Sequence, residues 1–92
     1  MNYIGIDPGL SGGFAIIDHN NKVKLCIPMP IKNGEVDVRT LAAHIQTAMK
    51  EDNTFAILEK VGAMTGQGVC AMFTFGRVVG EIKAVLKMLR CP

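Results

Sequence analysis

Ninety-two residues hold one small domain at most, and a chain this short hides only about 60–65% of its unfolded surface. With 49% apolar residues and ten glycines, it needs a dense core, a partner, or both, while a net charge of +2 gives no basic excess that would by itself mark a nucleic-acid binder. No apolar run reaches the roughly 18 residues of a membrane span, and Asn2, Gly5 and Asp7 interrupt any leader-type segment, so the chain reads as a soluble, cytoplasmic protein.

The first element is a strand: Tyr3, Gly5 and Asp7 alternate with Ile4 and Ile6, the two-residue period of a half-buried strand. Asp7-Pro8-Gly9 and then Ser11-Gly12-Gly13 end it. A second strand, Phe14 to Asp18, turns at His19-Asn20-Asn21 into a third, Val23 to Met29. Strands joined by such short turns are antiparallel neighbours, so a meander is expected. A polar-leaning loop punctuated by Pro28, Pro30 and Gly34 follows. Asp37 has the chemistry of a helix N-cap, and Val38, Leu41, Ala42, Ile45, Ala48 and Met49 then fall on one helical stripe. Asp52-Asn53 ends that helix, and Phe55 to Lys60 reads as a fourth, mostly buried strand. Reached through a helical crossover, this strand should run parallel to the first with a right-handed connection. The expected fold is an α/β domain with a mixed sheet in the order 3-2-1-4.

A glycine-rich stretch from Gly62 to Gly68 precedes a long helix from Cys70 to Arg90, roughly 31 Å at 1.5 Å per residue. Its apolar residues make two faces. Phe75, Val78, Ile82, Val85, Leu86 and Leu89 suit packing on the sheet, whereas Met72, Phe73, Gly76, Val79 and Gly80 form a second face confined to the first half. Two readings of that second face stand side by side: a homodimer contact, where the bare backbone at Gly76 and Gly80 lets another chain approach, or burial against the chain's own loops. Cys26, Cys70 and Cys91 have no metal-type spacing and read as reduced, incidental thiols. His19 and His44 read as surface residues.

Chemistry is expected where the first and fourth strands end. If they are adjacent and parallel, Asp7 and Glu59 both lie at their C-terminal ends, on the face shared by Tyr3, Gly5, Phe55 and Ile57. Strands about 4.8 Å apart would bring the two carboxylates within reach of one cation. A carboxylate ending the apolar run Ala56-Ile57-Leu58 is costly unless compensated, and Mg²⁺ suits paired carboxylates with open water positions. Two such ions about 4 Å apart would activate a water and stabilise the leaving oxygen of a phosphodiester. The bland alternatives are that Asp7 opens a turn and that Glu59 is a solvated strand-end charge.

Residues 3–18, Tyr-Ile-Gly-Ile-Asp-Pro-Gly-Leu-Ser-Gly-Gly-Phe-Ala-Ile-Ile-Asp, together with Ala56-Ile57-Leu58-Glu59-Lys60-Val61 and Gly66-Gln67-Gly68 leading to Phe75-Gly76-Arg77, resemble phage-type members of the RuvC Holliday junction resolvases. The resemblance spans essentially the whole chain. It implies a ribonuclease H-like fold and a Mg²⁺- or Mn²⁺-dependent endonuclease that nicks branched DNA as a homodimer, in a bacterial host cytoplasm. Asp7 and Glu59 would be its first two metal-binding acids, and the helix after the Glu strand would join the dimer contact. Relatives continue past the position of Pro92 into a fifth strand and a final helix bearing further aspartates. On that comparison the chain is C-terminally shortened, its fourth strand an open apolar edge and one sheet face bare.

Within the 92 residues, substitutes for the further acids are few. Asp18 falls at the opposite sheet edge, Glu81 lies well into the last helix, and Glu35 and Asp37 sit two strand spacings from Asp7. Lys60, directly after Glu59, is placed to approach a scissile phosphate and offset its charge. Met64 and Gln67 lie above the site, where they would probe a branch point. Lys83, Lys87 and Arg90 share a helix face and Arg77 lies elsewhere on that helix; each is either a phosphate contact or solvated surface. Two other function classes compete with the nuclease: a non-catalytic DNA-binding or assembly domain, and an actin-like nucleotide-binding fragment. The last lacks both a second phosphate loop and a Gly-x-x-x-x-Gly-Lys-Ser/Thr run.

Overall fold

The computed structural model describes residues 1–59 and 68–92. In chain order the elements are β1 (Asn2–Asp7), β2 (Gly13–Asp18), β3 (Val23–Pro28), β4 (Ile31–Lys32), β5 (Glu35–Val36), α1 (Val38–Glu51), β6 (Thr54–Leu58) and α2 (Val69–Leu89). The main sheet has the order β3-β2-β1-β6. β2 is antiparallel to β1 and to β3, while β6 is parallel to β1. The meander and the parallel fourth strand of the main sheet are thus as the alternation and the crossover helix require.

The segment after β3 departs from expectation. It is not a plain loop but a second, two-stranded sheet, in which Ile31 faces Val36 and Lys32 faces Glu35. Asn33 and Gly34 make its turn with φ of 54° and 76°. Two successive left-handed residues are the signature of the tight hairpin turn that suits strand twist, and Asn-Gly is its preferred sequence. With only two residues per strand there is no apolar alternation to announce it.

One face of the main sheet is covered. Ile4 and Ile6 of β1 and Phe14 and Ile16 of β2 are buried against Leu41, Ile45 and Ala48 of α1 and Val78 and Ile82 of α2. Each fully hidden aliphatic side chain contributes on the order of 1.5–3 kcal/mol. Asp37 caps α1: its carboxylate accepts from the Thr40 backbone N–H at 3.2 Å and from the Thr40 hydroxyl at 2.7 Å. Those bonds hold the Asp37 carboxyl below its ordinary range, the Thr40 hydroxyl being the larger cause. At the far end of α1, buried Asn2 donates its amide to the Ala48 carbonyl at 3.0 Å. His44, expected at the surface, is half-buried, its ring tilted on Phe14 at 5.6 Å.

The opposite face is open. Tyr3, Val23, Phe55 and Ile57 are 36%, 59%, 40% and 67% exposed, and Tyr3 stacks on Phe55 with ring centroids 6.4 Å apart. The outer edge of β6 is less bare than expected. α2 ends with Arg90 in the left-handed region (φ 58°), which turns the chain so that the Pro92 carbonyl accepts from the Ala56 N–H at 2.7 Å. The second face of α2 also remains outward: Phe73 is 75% exposed, Gly76 and Gly80 are exposed, and Met72 and Val79 are half-buried. Among the described residues no helix is long and apolar enough to cross a membrane.

Candidate active site

The parallel register sets the site. Asn2 pairs with Thr54, Ile4 with Ala56, and Ile6 with Leu58, so the next rung is Asp7 beside Glu59. Glu59 lies just beyond β6, yet its N–H still donates to the Ile6 carbonyl at 3.2 Å, which carries the strand geometry one residue further. Since side chains alternate along a strand, Asp7 follows Tyr3 and Gly5 onto the open face, and Glu59 follows Phe55 and Ile57 there. Both carboxylates are exposed. They line one shallow depression of ≈ 630 Å³ with Gly5, Gly13, Ala15 and Cys26. The small residues of the two central strands form its floor, and the acids stand at one end.

Close backbone packing fixes Asp7. A side-chain carbon at Gly12 would land on the Asp7 carbonyl, 3.0 Å from its carbon and 3.1 Å from the Gly9 nitrogen. The Gly12 N–H donates to the Gly9 carbonyl at 3.1 Å, and its own carbonyl accepts from the Met29 N–H at 2.9 Å. Gly13 is similarly tight, with the Ile27 carbonyl oxygen 2.8 Å from where a Cβ would sit. The run Ser11-Gly12-Gly13 is therefore the turn that seats Asp7, a role its composition suggested only as a strand stop.

The other acids weighed as ligands all have different partners. The Asp18 carboxylate accepts from the backbone N–H groups of Lys22 at 3.0 Å and Asn20 at 2.9 Å, which lower its proton affinity, and it lies at the opposite edge from Asp7. Glu35 and Glu81 each pair with Arg77 at 3.5 Å, and Asp37 is spent on the helix cap. Among the described residues no group of three or more His, Cys, Asp or Glu is arranged to hold a metal. The donor set at the strand ends is thus two hard oxygen ligands, in register and exposed, which fits a divalent ion that keeps several waters.

Of the expected DNA contacts, Lys60, Met64 and Gln67 lie outside the described residues. Arg77 is held between Glu35 and Glu81, so its charge is locally balanced. Lys83 and Lys87 are exposed, but α2 starts at the edge that holds Asp7 and runs to the edge that holds Thr54, where the Cys91 thiol is 3.9 Å from the Thr54 carbonyl. At 1.5 Å per residue Lys83 is about 21 Å, and Lys87 about 27 Å, along the helix from its start. These lysines belong to the far edge of the domain. Burial raises the Cys91 thiol above its ordinary proton affinity, as suits an inert core cysteine.

No model of a known protein family matches the chain, and comparison with curated proteins finds no significant match.

Proposed function

We propose that the chain is a ribonuclease H-like nuclease domain of the RuvC type, which uses Asp7 and Glu59 to hold Mg²⁺ or Mn²⁺ and nicks branched DNA as a homodimer. One observation carries the reading: two carboxylates on the same rung and the same sheet face end β1 and β6, neighbouring strands that run parallel. A divalent ion bound there supplies Lewis acidity toward a phosphodiester and its attacking water. The chain's own part is to hold the two carboxylates in register through the β1–β6 ladder and to keep Asp7 in place through the Gly12 turn. Lys60, next in sequence to Glu59, is the candidate to balance charge on the phosphate. The outward face of α2 made by Met72, Phe73, Gly76, Val79 and Gly80 is the proposed dimer contact.

The test is a titration of Mg²⁺ and Mn²⁺ against a labelled four-way junction, with Mn²⁺ binding followed in parallel by electron paramagnetic resonance. The proposal expects one saturable Mn²⁺ site lost in Asp7→Asn and Glu59→Gln, and junction nicking abolished by the same changes. Metal binding that survives both substitutions would sink it. A second reading, a non-catalytic junction-binding or assembly domain, draws on the absence of a third acid beside the pair among the described residues. Junction binding without nicking at any metal concentration would select it. A thermal shift with ATP alone would point instead to the nucleotide-binding alternative.

A further inference from the structure

We propose that the β4–β5 hairpin is a phosphate-contacting finger, in which Lys32 and, beside it on the first turn of α1, Arg39 hold the DNA backbone at the edge that carries Asp7 and Glu59. This rests on the nuclease reading and extends it to a surface that neither composition nor motif pointed to.

Position comes first. Pro28, the last residue of β3, pairs with Gly13, which pairs with Asp7. The hairpin begins three residues later, so it rises from the same edge of the sheet as the carboxylates, about two strand spacings of 4.8 Å from Asp7 and three from Glu59. It is also rigidly held. The Asp37 N–H donates to the Pro30 carbonyl at 2.8 Å and closes its base, Val36 is buried in the core, and the Glu35–Arg77 pair at 3.5 Å ties it to α2. A finger fixed before DNA arrives loses little conformational entropy on binding.

The charges sort in the same sense. The depression of ≈ 260 Å³ beside the hairpin is lined by Lys32, Asn33 and Arg39 together with the acids Glu35 and Asp37. Glu35 is paired with Arg77, whereas Asp37, bonded to the neutral Thr40, stays ionised and feels the charge of Lys32 without forming an ion pair with it. Lys32 and Arg39 are exposed and form no ion pair among the described residues. Outside any ion pair among the described residues, these two cations are the groups free to turn toward an incoming anion, with Arg39 on the far side of Asp37 in sequence from Lys32. Lys32 stands next to the Asn33-Gly34 turn, and Arg39 offers a planar fork suited to a phosphate. Such contacts recognise backbone rather than sequence, as a structure-selective enzyme requires.

The experiment compares binding of a fluorescent four-way junction, in EDTA so that nothing is cut, from 50 to 200 mM KCl. The proteins are wild type, the double variant Lys32→Ala/Arg39→Ala, and a charge-matched control, Lys22→Ala/Lys50→Ala, at the opposite edge. Each lost phosphate contact removes about 0.9 from the slope of log K against log salt. The finger predicts a slope shallower by about two, with affinity down roughly ten-fold or more at 100 mM, and a clearly smaller change in the control. Circular dichroism and melting of the double variant should match wild type, and Lys32→Arg/Arg39→Lys should restore the slope. An unchanged slope in the double variant, with wild type binding normally, overturns the finger and leaves the carboxylate site standing. A control that loses as much as the double variant also overturns it, by reducing the effect to net charge. Failure of wild type to bind the junction even at 50 mM overturns the finger and the nuclease reading together.

Discussion

Replacing Gly12 by alanine tests whether the Asp7 backbone is held as tightly as the site requires. The added carbon falls on the Asp7 carbonyl, with that carbonyl's carbon 3.0 Å away and the Gly9 nitrogen 3.1 Å away. Carbon–oxygen contacts between backbones settle near 3.3–3.6 Å, so the turn and the end of β1 must part by roughly 1 Å. Neither side yields easily. Gly12 is bonded on one side to Gly9 and on the other to Met29, and β1 is the central strand between β2 and β6. Overpacking of this kind costs about 1–3 kcal/mol, and under the proposed nuclease reading a displacement near 1 Å at Asp7 would cost about 10²-fold in rate. Gly5→Ala is the paired control: no atom lies within 4 Å of its added carbon, and alanine in a strand gains about 0.5–1 kcal/mol over glycine. Urea unfolding and Mn²⁺ affinity, measured on both variants, should separate them, with Gly12→Ala weaker in both and Gly5→Ala at or above wild-type stability. Gly12→Ala with wild-type stability and wild-type metal affinity would refute the idea that this turn seats Asp7.

Other perturbations address the core, the caps and the assembly. Ile82→Ala empties a fully buried position where both helices meet the sheet and should cost about 2–5 kcal/mol in urea unfolding, a large part of the roughly 5–15 kcal/mol typical of a domain; a loss below 1 kcal/mol would contradict the packing described. Arg90→Gly relieves the left-handed residue after α2 and should raise stability by up to about 1 kcal/mol, the relief of a strained backbone being partly offset by glycine's greater freedom in the unfolded chain. Because its hydrogen bonds with Thr40 hold the Asp37 carboxyl below its ordinary 3.8, the ionised form favours the folded state. That contribution is present above the unfolded value and is lost as pH falls through the lowered one. Melting curves of wild type and Asp37→Ala should accordingly differ near neutrality and converge toward the acid end; a constant gap down to pH 2 would speak against the cap. Sedimentation at micromolar concentration should find a dimer or larger species that Phe73→Ser weakens, and a stable wild-type monomer would remove the α2 contact.

The central sheet was legible because its signals are periodic. Ile4 and Ile6 alternate with Tyr3, Gly5 and Asp7, and the same parity, carried through the parallel pairing, places Asp7 and Glu59 on one face. The helical stripe from Val38 to Met49 fixed α1 in the same way. What could not be read depends on contacts distant in sequence. Glu81, four positions on along α2, was a readable partner for Arg77, but the second partner, Glu35, is 42 positions away and is delivered by a hairpin too short to show a pattern. Asn2 shares the parity of Ile4 and Ile6 and extends β1 by one residue; its burial is tolerated because the Ala48 carbonyl accepts from its amide and Lys24 Nζ donates to its Oδ1 at 3.4 Å. Parity was the available signal there, and polarity masked it. The Asn33-Gly34 pair was likewise available, as the one dipeptide in the segment that favours two left-handed residues in a row.

The open sheet face and the carboxylate pair are not independent. Ile57, on the same face as Glu59, is 67% exposed, and the Tyr3–Phe55 stack lies four rungs below the acids on that face. A partner that covered this apolar face would remove water from one side of Asp7 and Glu59 as well. Two neighbouring carboxylates lose more on desolvation than either alone, since burial and mutual repulsion both penalise the doubly charged state, and a divalent cation offsets both. If the pair holds a divalent ion as proposed, covering the face should tighten that binding, while an uncovered face would leave the pair solvated and the binding weak. Assembly and metal affinity are then linked: whatever buries Tyr3, Phe55 and Ile57 should raise the affinity for the ion, and the ion should in turn favour the assembled state by the same factor. A Mn²⁺ affinity that stays constant across a range of protein concentrations spanning assembly through this face would break that link.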